Sequence, residues 1–239
     1  MNILAIGAHP DDIELQCAGT LARYAAAGHK IFIAVATNGN VGSPTHTREE
    51  IAAIRHDEQR ASCAVIGAEL IWMDFDDEWL MNDRPTRTRF IDAIRQADPD
   101  VMFIHGPTDY HPDHRISGQV AEDARIPASV RLVETTLPYI KRIPHMFHMD
   151  NPAGVDFEPE VYVDITPVIE TKTEMLLSHR SQNDWLQALF GEEATLKNLM
   201  FTNAKARGLK AGYDYAEGFR EVKTFPRTGS FELLPGYGV

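Results

Sequence analysis

The chain has 239 residues, 44% of them hydrophobic and 24% charged, which is enough to bury one large α/β core. A net charge of -12 argues against nucleic acid or an anionic membrane surface as partner and suits a neutral or cationic small molecule. The two cysteines, Cys17 and Cys63, form no C-x-x-C pair, so a disulfide framework is excluded and a reducing, cytoplasmic compartment is expected.

The segment Met1 to Gly7 lacks a basic leader region and a long apolar core, and reads as a first strand over Ile3 to Gly7 rather than a signal peptide. Ile13, Cys17, Leu21 and Tyr24 then recur at helical spacing, with Gly28 as the stop. Ile31 to Ala36 is a buried-type strand, followed by a polar loop from Thr37 to Gly42. Thr47 and Glu50 form a capping-box pattern opening a helix that Gly67 ends. Leu70 to Met73 is a third strand with an acidic loop, Asp74 to Glu78, behind it. Phe90, Ile91 and Ile94 mark a helix closed before Asp98-Pro99, and Val101 to Ile104 is a fourth strand. Near-continuous apolar strands alternating with helices predict a Rossmann-like three-layer αβα sandwich with a mostly parallel sheet. Beyond residue 126 the pattern loosens. Val130 to Glu134 and Val161 to Ile165 read as strands around an irregular excursion from Pro138 to Pro159. Thr166-Pro167 opens a helix to about Ser178, Trp185 to Arg207 reads as a long helix or two with Gly208 behind, and the tail reads as irregular. One domain over 1-239 is expected, with 1-126 as its core. The less regular 127-239 would serve as substrate rim and an available homo-oligomer interface. No stretch approaches transmembrane length.

Two clusters carry the chemistry. Ala8-His9-Pro10-Asp11-Asp12-Ile13-Glu14 follows the first strand, and His111-Pro112-Asp113-His114 follows the fourth. Ligands in parallel sheets bind at strand carboxyl ends near a switch in strand order. Asp11 and Glu14 could equally form a capping box with Pro10 at a helix start, but a second His-Pro-Asp unit at an equivalent place favours a metal site. His9 and Asp12, three residues apart across a helix start, can face one ion, with His114 as third ligand and a position left for water. Asp11 is then the natural general base. His111 is positioned to donate a proton or stabilise an oxyanion, with Asp113 or Asp109 orienting it. His105, ending the fourth strand, is a candidate supporting residue. Asn38 could meet substrate hydroxyls, although Asn-Gly is also an ordinary turn. The run Asp74 to Glu78 reads as solvated, and Trp79 in the same rim loop could stack on a pyranose ring.

These residues resemble the PIG-L/LmbE-type zinc de-N-acetylases, through the AHPDD-x-E…GT segment at Ala8 to Thr20 and HPDH at His111 to His114. Weaker likenesses lie at Ile54 to Glu58 and Ser178 to Gln182, which include Arg55 and His179. The resemblance implies one Zn2+ held by His9, Asp12 and His114, Asp11 as base, His111 as acid or electrostatic partner, and Arg55 reaching an N-acetylglucosamine-containing substrate. The family's Gly-Gly-Thr is Ala18-Gly19-Thr20 here. Three alternatives stay open: an amidase acting on another sugar or thiol-sugar conjugate, a non-haem iron oxygenase using the same ligand types, and a non-catalytic sugar- or nucleotide-binding module. A dinucleotide site would need G-x-G-x-x-G after the first strand, and Gly7-Ala8-His9-Pro10 departs from it.

Overall fold

A computed structural model describes residues 1–226 and 231–238. Among these, seven strands form one sheet: β1 (Asn2–Gly7), β2 (Lys30–Thr37), β3 (Glu69–Phe75), β4 (Val101–His105), β5 (His145–Met149), β6 (Val161–Asp164) and β7 (Ala216–Glu221). Their order is β3-β2-β1-β4-β5-β7-β6, with β1 to β5 mutually parallel and β7 antiparallel to both of its neighbours. The Rossmann-like α/β reading holds. Alternate residues of the central strands feed two cores: Ile3, Ala5, Ile33 and Phe103 on one face, Leu4, Ile6, Ala34 and Ile104 on the other.

The first core is covered by α1 (Asp12–Gln16), α2 (Ala18–Ala26), α3 (Arg48–Val65), α6 (Ile169–Leu177) and α8 (Leu196–Ala211). The second core is covered by α4 (Arg84–Ala97) and α5 (Pro112–Ala128). α7 (Arg180–Phe190) meets the first core through partly buried Leu186. From β1 the chain winds outward through β2 to β3, then returns to place β4 on the other flank of β1. The switch point therefore falls between β1 and β4, the strands whose carboxyl ends carry the two His/Asp clusters.

Several elements differ from expectation for physical reasons. The segment 130–134 forms no strand because buried Arg95 takes its carbonyls: the guanidinium donates to the oxygens of Val130 at 3.2 Å, Val133 at 2.8 Å and Leu137 at 2.9 Å. Carbonyls so engaged cannot form a ladder. In exchange β5 and β7 arise in stretches expected to be irregular. Their sequences, HMFHM and AEGFRE, lack the β-branched residues that signal strands. The first helix breaks at Cys17, whose φ is −143°. The helix at 166 opens as a 3-10 turn, Thr166–Val168. α8 runs past Gly208 and stops at Gly212. The Thr47/Glu50 capping box forms as read.

The break at Cys17 creates a second helix start, and the second half of the chain satisfies it. Glu217 on β7 accepts from the backbone N–H of Gly19 at 2.8 Å and Thr20 at 2.7 Å, from the Thr20 hydroxyl at 2.6 Å, and from Lys172 Nζ at 2.5 Å. Both Glu217 and Lys172 are buried. Truncating one member of a buried ion pair leaves the other charge uncompensated. Glu217→Ala should therefore cost about 3–5 kcal/mol in urea unfolding, and a further Lys172→Met should recover much of it. A loss under about 1 kcal/mol would show that the clamp does not hold the two halves together.

Candidate metal centre

The turn after β1 is built around Asp12. Its Oδ2 accepts the His9 backbone N–H at 2.7 Å and lies 3.2 Å from His105 Nε2, while its Oδ1 is 3.1 Å from His114 Nε2. Asp11, one residue earlier, sits at φ 105° and makes no side-chain cap, so the capping-box alternative does not form. A non-glycine residue at that φ carries strain of order 1–3 kcal/mol. The strain leaves the Asp11 carboxylate free of the helix end and facing the cavity above the sheet.

The second cluster is set by α5, whose N-cap is His111 and whose first-turn proline is Pro112. α5 lies so close to β4 that a Cβ on Gly118 would meet the His105 carbonyl oxygen at 2.3 Å. That approach stacks the His114 and His105 rings at 4.2 Å between centroids.

Donor atoms of three residues converge in a triangle: His9 Nδ1 is 3.2 Å from His114 Nε2 and 3.5 Å from Asp12 Oδ2, and the other Asp12 oxygen, Oδ1, is 3.1 Å from the same His114 nitrogen. Ligands bonded at about 2.0–2.2 Å to one tetrahedral ion stand about 3.3–3.6 Å apart, so the triangle has the size a divalent ion needs. The far nitrogens are also provided for. His9 Nε2 is 3.0 Å from Asp77 Oδ1 and 3.5 Å from Asp113 Oδ2, and His114 Nδ1 is 3.0 Å from Asp109 Oδ1. Carboxylates behind both imidazoles fix their tautomers, as metal-binding histidines require. Overlapping groups, Asp12 with His105 and His114, and His9 with His111 and His114, also cluster. Nε2 of His105, however, already accepts the Ala8 N–H at 3.0 Å, which occupies its lone pair.

The electrostatics agree with a cation site. Burial opposes charge on His9, yet hydrogen bonds that its ring donates to Asp113, Asp12 and Asp77 outweigh it and raise its pKa well above the usual value. Burial likewise opposes charge on His114, which Asp12 and Asp109 carry up to about 9. Burial pushes Asp11 up to about 6 against the pull of Arg55. His111 is lowered by burial and by the charges of His9 and His114. Its Nδ1 accepts the Asp113 N–H at 3.2 Å, which assigns the proton of the neutral ring to Nε2.

Several sequence expectations change. The ring of His111 is met by Glu78 at 3.2 Å, not by Asp113, whose carboxylate accepts the Glu78 N–H at 2.9 Å and faces His9. His111 as N-cap takes the amide of residue 113, which turns that carboxylate away. Asp109 likewise serves His114, although it also accepts the His111 N–H at 3.1 Å. Asn38 is spent on loop structure, accepting the Asn40 N–H at 3.1 Å and donating to Asp74 at 3.2 Å, and is not among the cavity-lining residues. The loop expected to be solvated supplies buried Asp77 instead, while Trp79 is exposed and away from the lining. The only sequence signal for Asp77 was its place at a strand's carboxyl end. Arg55 is buried, donating to the Pro10 carbonyl at 2.7 Å and lying 3.8 Å from both Asp11 Oδ1 and Asp77 Oδ2. Its guanidinium fills the space beside Gly39, where a Cβ would come within 2.5 Å.

The PIG-L model, described as GlcNAc-PI de-N-acetylase, matches residues 4–125. The chain belongs to the PIG-L family. The chain is 27% identical over 241 residues to diacetylchitobiose deacetylase of Thermococcus kodakarensis, covering 92% of this chain and 83% of that one. The corresponding Pyrococcus horikoshii deacetylase structure, bound to its inhibitor MPG, superposes with a TM-score of 0.79 at 26% identity. That match covers 92% of this chain and 83% of the other. The chain is also 24% identical over 240 residues to 4-oxalmesaconate hydratase of Pseudomonas putida, covering 95% of this chain and 90% of that one. Both PIG-L clusters lie inside the matched span, whereas Ser178 to Gln182 falls outside it. In the fold those residues return to the first motif: His179 Nε2 is 3.3 Å from buried Glu14, Ser181 bonds Glu58, and Gln182 donates to the Gly42 carbonyl at 3.0 Å.

Asp11→Gly should relieve the backbone strain and raise stability by about 1 kcal/mol, visible as a higher thermal midpoint. A lower midpoint would mean that the turn is not strained. His114→Ala should lose the metal in elemental analysis, and Asp109→Asn should weaken metal binding about 10–100-fold in chelator competition. Full metal content in His114→Ala would remove it from the ligand set.

Proposed function

We propose that the protein is a zinc-dependent hydrolase that removes the N-acetyl group from an N-acetylglucosamine-containing conjugate or oligosaccharide. The observation that carries this reading is a carboxylate without a structural job, Asp11, held on a strained turn beside the His9–Asp12–His114 triangle. Those three residues would hold the ion. When bound, zinc supplies Lewis acidity, lowering the pKa of water towards about 7 and polarising a carbonyl.

The chain's own groups account for the proton movements. Asp11 accepts a proton from the attacking water as its oxygen bonds to the acetamide carbon and the carbonyl electron pair moves onto oxygen. His111, whose neutral ring carries its proton on Nε2 facing Glu78, gives that hydrogen bond to the oxyanion in place of Glu78. The proton on Asp11 then passes to the nitrogen as the C–N bond breaks, releasing acetate and the free amine. Arg55 acts from behind: its charge opposes the rise in Asp11's pKa caused by burial, and its bonds to the Pro10 and Gly39 carbonyls fix the turn. Asp113 and Asp77 keep the His9 ring in place.

The hydratase relative offers a different reaction on the same fold. A carboxylate substrate such as the one in its name needs lysine or arginine side chains facing the cavity in addition to the ion. Arg55 is the one lysine or arginine among the described lining residues, against the carboxylates of Asp11, Asp12, Asp77 and Glu78. That balance favours a neutral amide.

The deciding assay is acetate release from N-acetylglucosamine, its oligomers and its glycosides, with zinc-loaded and chelated protein in parallel. Zinc-dependent release is expected, and Asp11→Asn should lower kcat about 10²–10⁴-fold with metal retained. Turnover of 4-oxalmesaconate with no acetate from any sugar would overturn the proposal.

A further inference from the structure

The cavity over the metal cluster is far larger than an acetyl group requires, and half of its wall has no part in the chemistry. It encloses about 330 Å³. One side is the polar cluster. The other is Val41 with Trp185, Leu186 and Phe190 of α7 and Leu196 and Leu199 of α8. Among α7 residues only Gln182 is buried, so this helix contributes little to the core. It is instead tied down at its start, by Ser181 to Glu58 and by Gln182 to Gly42, next to the loop that carries Arg55's contacts. That anchoring fixes its apolar face along the cavity. Phe190 is 72% exposed and Leu189 55% exposed, an unusual cost for a helix end unless something covers it.

Resting on the deacetylation reading, we propose that this wall is a subsite for a neutral, apolar aglycone on the amino sugar. The acyl group is the single methyl of acetate and cannot occupy six large side chains. The aglycone is the remaining part of the substrate that can. A charged aglycone is disfavoured: Glu78 and Asp77 line the same cavity, and Arg55 is already engaged by Asp11, Asp77 and two backbone carbonyls. An anionic phosphate or carboxylate substituent laid on this wall, away from the ion, would therefore meet repulsion with no free lysine or arginine among the described lining residues to answer it. The wall contacts the substrate continuously as the reaction proceeds, so its effect should fall on binding and appear in kcat/KM.

The test is kcat/KM for acetate release across methyl, butyl and hexyl glycosides of N-acetylglucosamine, with the methyl glycosides of longer N-acyl glucosamines and an anionic aglycone as further arms. Each methylene laid on the wall should raise kcat/KM about two- to fourfold, so hexyl should exceed methyl by at least about tenfold. The anionic arm should be slower than methyl. Phe190→Ala, at an exposed position where folding is not at stake, should flatten the hexyl-to-methyl ratio, and Phe190→Leu should restore much of it. Equal rates for all aglycones, or a gain that follows the acyl chain instead, would overturn this subsite while leaving the deacetylation reading intact. So would a change in sedimentation of Phe190→Ala with an unchanged ratio, which would mark the wall as a contact between copies of the chain. No acetate from any glycoside would overturn the deacetylation reading first, and the subsite with it.

Discussion

The buried carboxylate of Asp12 is the constraint around which the rest is arranged. A carboxylate this buried is tolerated only where donors or cations surround it. Here one oxygen takes the His9 amide and faces His105, and the other faces His114. These partners come from β1's own turn, from the end of β4 and from α5, so satisfying one side chain joins the two strands at the switch point. Although burial opposes ionisation, His114 above all holds its pKa well below the usual carboxylate range.

The residues from Asp11 to Thr20 show how position divides labour among like side chains. Asp11 is left without a structural partner except Arg55 at 3.8 Å. Asp12 organises the imidazoles. Glu14, only two residues on, is fully buried among Gln59, Ser62 and His179, and serves as the anchor for the second half of the chain. Thr20 and Gly19 take Glu217 from β7. The first motif is thus both the floor of the site and the seam between the halves, so the resemblance at Gly19-Thr20 has a structural cause and Ala18, buried in the core, does not disturb it.

Relatives on this fold include deacetylases and a hydratase, so the sheet and the switch point do not by themselves select a reaction. Selection falls to the rim. In this chain the rim combines carboxylates around the candidate ion site with the apolar side of α7 and α8, and its single lysine or arginine among the described lining residues is already committed. No described helix is long and apolar enough to cross a membrane.

The parallel core is legible in the chain alone, from apolar runs whose alternate residues could only be buried on two faces. The sequence also marked His9, Asp11, Asp12 and His114 as candidates, since strand-end loops of unlike composition are local features. What it could not decide depends on atoms brought together from distant positions. Val130 to Glu134 has strand composition, yet Arg95 claims its carbonyls, while β5 and β7 form without strand-like composition because neighbouring edges needed partners. Asp77 looked like a solvated acid until folding set it against His9, and Asn38 looked available until its amide was used in a turn. Asp113 turned from His111 to His9 because capping geometry took the amide instead. Side-chain chemistry is written locally, but which polar atoms remain unspent is settled only when the tertiary fold has satisfied all the others.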